Sequence, residues 1–226
     1  MGPEGAGFLM QAFWRDTVEF LPILMSGVAL TIIVTIGSLL LSTALGLIWA
    51  LMRVSGIGVL TGFSAGLINV IRGIPIIVLL FYLYFVMPEF GVTLSALQAA
   101  ILGLGIAYSA YQAENFRAGI EAIDKGQIEA AQAIGMSWWQ TMRRVVLPQA
   151  VKIVLPPYGN VMIMMLKDSS QASTITVAEL ALQGKLIASS TFKNTSVFTL
   201  VALMYLTMSI PLILLVRHFE KRAGQK

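Results

Sequence analysis

Long apolar runs separated by short polar breaks dominate the chain. Five runs suit membrane-crossing helices, at about residues 21–52, 62–87, 93–118, 150–166 and 196–216. A helix rising 1.5 Å per residue needs about 20 apolar residues to cross ~30 Å of hydrocarbon. The first run exceeds that length, so it either tilts or begins as a separate short helix in the interface. The second is interrupted by Arg72-Gly73-Ile74-Pro75. Turns are expected at 53–58 and 88–91, where glycine and proline cluster. Two stretches break the apolar pattern. Residues 119–148 are polar and basic, and residues 167–194 carry serines, threonines and three lysines. The middle of the second stretch, 177–189, suits a helix that only partly enters the membrane. There is no internal repeat and no separate soluble segment, so residues 1–226 read as one transmembrane domain.

Composition sharpens this picture. The chain is 57% hydrophobic and 12% charged, against about 25% charged in soluble domains. It has no cysteine, hence no disulfide framework and no thiol chemistry. Its one histidine, His218, sits among charged residues near the C-terminus and reads as a solvated interfacial side chain. The net charge of +4 is better explained by topology than by nucleic acid. Residues 1–20 contain Arg15, Asp16 and Glu19 and no compact apolar core, so no cleavable leader is expected.

Cation placement sets an orientation. With five spans and the C-terminus inside, Arg53, Lys125, Arg143, Arg144, Lys152, Arg217, Lys221, Arg222 and Lys226 fall on the cytoplasmic side. Only Arg15, Lys167, Lys185 and Lys193 fall outside, with Arg72 and Arg117 set aside as membrane-embedded. The excess of lysine and arginine therefore places the N-terminus outside, the C-terminus in the cytoplasm and residues 119–148 inside. Trp14 and Trp49, near the ends of the first span, fit interfacial anchoring or core packing equally well.

Residues 129–148 read EAAQAIGMSWWQTMRRVVLP. Good helix formers fill 128–134, and Gly135 is suited to a left-handed cap. Ser137 can cap a second helix through Trp138, Trp139 and Met142, which Leu147-Pro148 is expected to stop. The product is two short helices at an angle, a knob between spans. Glu129-Ala130-Ala131, three residues, Gly135, nine residues, Val145, one residue and Leu147-Pro148 resembles the cytoplasmic coupling loop of permease subunits in bacterial ABC importers. Val145 stands where that family has Ile.

The resemblance extends over about residues 20–220. Arg72-Gly73-Ile74-Pro75 looks like the Arg-Gly-Thr-Pro element of polar amino-acid permeases. The runs YQAENFRAGI at 111–120, GQIE at 126–129, LPQA at 147–150, LPP at 155–157 and KDSS at 167–170 are similar to the same group. It comprises the histidine/lysine/arginine, glutamine and opine-type permeases. The resemblance implies an all-α integral membrane fold of about five spans with a coupling-helix pair, as in type I ABC importer permeases. It implies uptake, by alternating access, of a polar or charged amino acid or a related conjugate. It also implies partners: two ATP-binding subunits, a second permease chain (identical or homologous), and a periplasmic or lipid-anchored substrate-binding protein. The location implied is the bacterial inner membrane, among lipid, with no nucleic acid.

The chain contains no G-x-x-x-x-G-K-[ST] sequence. It is therefore expected to bind no cofactor or metal and to be no enzyme, with ATP and Mg used by the partner ATPase. For coupling, Glu129 is the candidate for polar contact with that ATPase, the alternative being a cap on its own helix. Ala130 and Ala131 are small enough for close approach, and Gly135 fixes the bend.

Ionisable groups at membrane depth are costly and usually functional. Arg72 lies beside the Gly-Ile-Pro break, where Pro75 helps free backbone groups that only protein or a wet cavity can satisfy. Glu114 and Arg117, three apart, can pair on one helix face, and Arg117 reads as structural. Asp168, followed by Ser169 and Ser170, is the best candidate for a substrate amino or cationic group. The competing reading pairs Asp168 with Lys167. Tyr108, Tyr111 and Gln112 either line the pathway or pack between helices. Pro148, like Pro75, reads as structural. Arg72 suits a carboxylate and Asp168 an amino group, so charge alone selects no substrate. An ion-coupled secondary transporter would use the same carboxylates as a proton relay, but it has no need of the 129–148 knob. A channel leaves the knob unexplained too, and an intramembrane enzyme has too little chemistry to build with.

Overall fold

The computed structural model describes residues 3–222, all in helices or the short turns between them. Helix α1 (Pro3–Val54) is followed by α2 (Gly58–Gly73) and α3 (Ile76–Phe81). Then come α4 (Ala96–Glu121), α5 (Lys125–Ala133), α6 (Trp138–Thr141), α7 (Leu147–Asp168), α8 (Leu180–Thr191) and α9 (Asn194–Arg222). This is what a lipid environment demands, because a helix satisfies its own backbone. Met10–Val54 and Asn194–Lys221 are each long and apolar enough to cross a membrane. At 26 and 22 residues, α4 and α7 are also long enough by rise, and both bury small and polar residues within the bundle.

The first helix differs from one of the two sequence alternatives, a separate short helix at its start. It runs unbroken through Pro22 for 52 residues, with no separate interfacial helix. The second run is interrupted where the sequence places the break, and the break is sharp: Gly58–Gly73 and Ile76–Phe90 meet at 96°. Ile74 is extended (ψ 126°) as the residue before a proline must be, and Pro75 caps α3. Past α3 the chain widens through a π-helical turn (Tyr82–Val86) and then tightens in a 3-10 turn (Met87–Phe90). Gly91, at φ 81°, then reverses it.

Pro148 does not stop a helix, contrary to expectation. From α6 the chain passes through a π-helical turn, Met142–Val146, directly into α7. The Leu147 N–H donates to the Met142 carbonyl, five residues back. That widened turn re-registers the ladder, so Pro148 enters in the first turn of α7, where its missing N–H costs little. The ambiguous 167–194 stretch also resolves. It contains the end of α7, a 3-10 turn (Ser169–Ile175), left-handed Thr176 and then α8, three residues later than expected. Helix α8 is wedged between α1 and α9.

Helix α4 lies at the centre, packed on α1, α2, α3 and α7. Its buried face is mostly alanine and glycine, including Ala99, Ala100, Gly103, Ala107, Ala110 and Ala113. Small residues let membrane helices approach closely, which substitutes for the hydrophobic drive that lipid removes. At the α1–α4 crossing, a Cβ on Gly46 would lie 2.7 Å from the Gln112 Cβ and 3.0 Å from the Ser109 carbonyl oxygen. Gly46→Val is therefore expected to destabilise the folded protein by at least ~1–3 kcal/mol through overpacking. Gly62→Ala, in open space, should be neutral. Thermal melting of the detergent-solubilised variants checks this, and equal melting would contradict the close packing.

Candidate functional site

Two regions carry the chemistry. The first is a line of side chains that crosses three helices. At the α2–α3 break, the Arg72 guanidinium carbon lies 5.6 Å from the centre of the Tyr111 ring on α4. That separation suits a cation–π contact. Tyr111 sits 5.8 Å from Tyr108, ring centre to ring centre. The Tyr108 hydroxyl donates to Asp168 Oδ2 at 2.6 Å. Arg72 and Tyr111 are exposed, Asp168 is half-buried and Tyr108 is buried. The line thus joins the broken helix to the end of α7 through four of the sequence candidates, Arg72, Tyr111, Tyr108 and Asp168.

The rest of that candidate set is placed differently. Asp168 takes its hydrogen bond from Tyr108 rather than an ion pair from Lys167. Ser169 is fully buried, and its hydroxyl donates to the Leu166 carbonyl at 2.7 Å, so it faces no open surface. Ser170 is half-buried. Gln112 is also fully buried, turned toward Gly46 of α1 and away from exposed Tyr111. Its Oε1 accepts from Asn115 at 3.3 Å, while its Nε2 has no partner among the described residues. Glu114 stands apart from the line. Arg117 donates to Glu114 Oε2 from Nε at 3.0 Å and from Nη2 at 2.6 Å, and reaches Glu121 as well. Arg53 approaches the other Glu114 oxygen at 3.9 Å. This network ties the last turn of α1 to the end of α4.

Sequence reasoning missed Glu179. It is fully buried and accepts from the Ala181 and Leu182 N–H groups at 2.9 Å each, capping α8. It also accepts from the Tyr205 hydroxyl of α9 at 2.7 Å. A glutamate immediately before the apolar run at 180–182 was the available signal.

The second region is the knob. Asp124 caps α5, accepting from the Gly126 N–H at 2.6 Å, so Glu129 is not the cap of its own helix. At the other end Gly135 is left-handed (φ 82°), and the Met136 N–H returns to the Ala131 carbonyl at 3.1 Å. That is a Schellman termination. Ser137 and Gln140 then form a reciprocal capping box on α6. Ile123, Val146 and Ala150 pack beneath with Ile128, fixing the knob to α4 and α7. Gln149 reinforces this, donating to Gln127 Oε1 at 2.6 Å. Glu129, Ala130 and Gly135 are exposed. Ala131 is only 5% exposed and packs within the chain, so it offers no surface for close approach by a partner.

The chain is thus a helical bundle with a broken helix, a charged and aromatic line between helices and a braced external knob. Residues 42–225 match the family described as binding-protein-dependent transport system inner membrane component, and the chain belongs to that family. It is 39% identical over 188 residues to the probable amino-acid ABC transporter permease protein YckA of Bacillus subtilis, covering 83% of each chain. It is 34% identical over 215 residues to the glutamine transport system permease protein GlnP of Escherichia coli, covering 94% of this chain and 98% of that one. A crystal structure of an amino acid ABC transporter with histidines superposes with a TM-score of 0.85 at 37% identity, over 92% of this chain and 97% of that one. The MetNI methionine ABC transporter shares the fold, with a TM-score of 0.72 at 23% identity over 89% and 98%. These relatives are permeases, so this chain is a transport subunit rather than an enzyme, and they do not favour the ion-coupled alternative.

The ion network yields a ranked expectation. Arg117→Gln should lower stability by about 1 kcal/mol, the upper range for part-exposed pairs. Arg53→Gln should have a smaller effect, since its one ion pair among the described residues is at 3.9 Å. Melting curves of the two variants would show equal or inverted losses if Arg117 were not the hub.

Proposed function

We propose that this chain is the membrane-spanning subunit of an ATP-driven importer for a polar or charged amino acid, or a related conjugate. It works with two ATP-binding subunits, a second permease chain (identical or homologous) and a periplasmic or lipid-anchored binding protein that delivers the substrate. ATP and Mg belong to the ATPase. The observation that carries the reading is the braced α5–α6 knob, with Glu129 and Ala130 exposed and its base locked to both α4 and α7. A protrusion so fixed moves as one body with the helices it joins, which is what a rigid-body alternating-access cycle requires. The lysine and arginine bias supports an N-terminus outside and a C-terminus in the cytoplasm, with the knob on the ATPase side.

In this reading the substrate passes along the Arg72–Tyr111–Tyr108–Asp168 line. Arg72 suits a carboxylate and Asp168 an amino group, and the tyrosines hold the two ends apart. The hydrogen bond from Tyr108 fixes Asp168 Oδ2 and sets its orientation before substrate arrives.

Two outcomes are expected. Glu129→Arg or Gly135→Pro should abolish recovery of the ATPase when the tagged chain is purified from its membrane and its companions are identified by mass spectrometry. Recovery of no ATPase with the unaltered chain would defeat the importer reading. The number of permease species recovered distinguishes homodimer from heterodimer. Asp168→Asn should abolish ATP-dependent uptake of a cationic amino acid in reconstituted vesicles, with the complex still assembled. Undiminished uptake would remove Asp168 from the pathway, and uptake without ATP would restore the ion-coupled alternative.

A further inference from the structure

An open groove of about 340 Å³ runs between α1, α4 and α7, beside the base of the knob. Leu47, Phe116, Leu147, Val151, Leu155 and Tyr158 line it, and its wall is almost wholly apolar. The one hydroxyl at its floor is spent internally: Tyr158 and Thr43 share a 2.9 Å hydrogen bond. The Tyr158 ring, stacked on Phe116, presents only its apolar body. From Leu147 to Tyr158 the α7 wall rises 11 residues, about 16 Å. That is close to half of a ~30 Å hydrocarbon core, one leaflet.

Three cations stand next in sequence to the α7 wall of the groove. Arg143 and Arg144 lie in the widened turn one helical turn before Leu147, and Lys152 follows Val151. All three are exposed on the strip of chain that also exposes Leu147 and Val151. None forms an ion pair among the described residues. No acidic residue occurs between Ala130 and Lys167 to supply one. The acid nearest in sequence to the α4 wall, Glu121, is engaged by Arg117. Trp138 and Trp139, 67% and 62% exposed, precede them on α6. An apolar slot beside unpaired cations and paired indoles is the chemistry of the boundary between acyl chains and a negatively charged headgroup region.

We infer that this groove holds an anionic glycerophospholipid of the cytoplasmic leaflet, one acyl chain along α7 and its phosphate on Arg143 and Arg144. The lipid fills a slot that would otherwise leave apolar packing unmade, and it braces the root of the knob against α4. The inference rests on the orientation proposed above, which puts the knob inside. Labelling of a Lys125→Cys variant with a membrane-impermeant thiol reagent tests that orientation separately. Lipid binding itself is read in nanodiscs, whose two leaflets are alike.

The test uses the assembled transporter, and the cysteine-free chain makes single labels simple. Binding of a phosphatidylglycerol probe to the complex in phosphatidylcholine nanodiscs should weaken about thirtyfold in the Arg143→Gln/Arg144→Gln double variant, since each cation near an anionic surface is worth about fivefold. A spin label on Val151→Cys should be broadened by chain-labelled phosphatidylglycerol more than by chain-labelled phosphatidylcholine. Equal binding of the two lipids, or no loss in the double variant, would overturn the proposal. So would an interchain Val151→Cys disulfide in the assembled complex, because a second copy of the chain would then cover the groove.

Discussion

Lipid offers helices no hydrophobic reward for associating, so close approach has to supply the attraction. In this chain that constraint is met along α4. Alanine and glycine fill its buried face, and Gly46 of α1 meets it where any side chain would strike Gln112. Because α4 is slim, four other helices reach it at once. The rest follows from its central place. Tyr108 and Tyr111 occupy the middle of α4, where they meet the broken α2–α3 pair on one side and the end of α7 on the other. The far end of α4 leads directly into the knob.

Helix α7 completes the connection in the opposite sense. It begins at the knob and ends at Asp168, 22 residues and about 33 Å later. The π-helical turn before Pro148 keeps this path continuous, where a helix stop would have left a hinge at the root of the knob. In the proposed cycle a displacement of the knob would reach Asp168 through one helix and Tyr108 through another. The hydrogen bond between those two residues sits where the two paths converge. A load-transmitting element of this kind needs capped ends, and the knob has them in Asp124, Gly135 and the Ser137–Gln140 box.

What the sequence discloses depends on how local the physics is. The Gly135 and Ser137 caps of the knob were legible, since glycine, serine and their neighbours within four residues determine them, whereas the Asp124 cap was not singled out. So were the Arg72–Pro75 break and the Glu114–Arg117 pair, for the same reason. The inward turn of Ala131 was not legible, because EAA has no periodicity long enough to fix which alanine faces the core. Pro148 was misjudged because the rule for proline assumes an α-helical ladder, and a widened turn upstream evades it. Tyr108 with Asp168 is a contact across 60 residues, and Glu179 with Tyr205 joins two helices. Neither leaves a trace in sequence spacing. Both depend on which faces of α4, α7, α8 and α9 turn toward one another.

The carboxylates sort themselves by how fully they are occupied. Asp16 is held by Lys193 at 2.7 Å and Ser196 at 2.7 Å, tying the start of α1 to the start of α9. Glu179 has three donors, two of them backbone N–H groups that cannot leave without uncapping α8. Glu114 is gripped twice by Arg117. Each is committed to holding helices, and a carboxylate so saturated has little left to offer a passing solute. Asp168 receives one hydrogen bond, from a tyrosine whose ring neighbour is exposed. A carboxylate can accept about four hydrogen bonds, so Asp168 retains most of its capacity. It combines that capacity with partial burial and a guanidinium at the other end of the aromatic line. Spare acceptor capacity, rather than charge or depth alone, distinguishes the acid suited to exchange partners during transport from those that hold the bundle together.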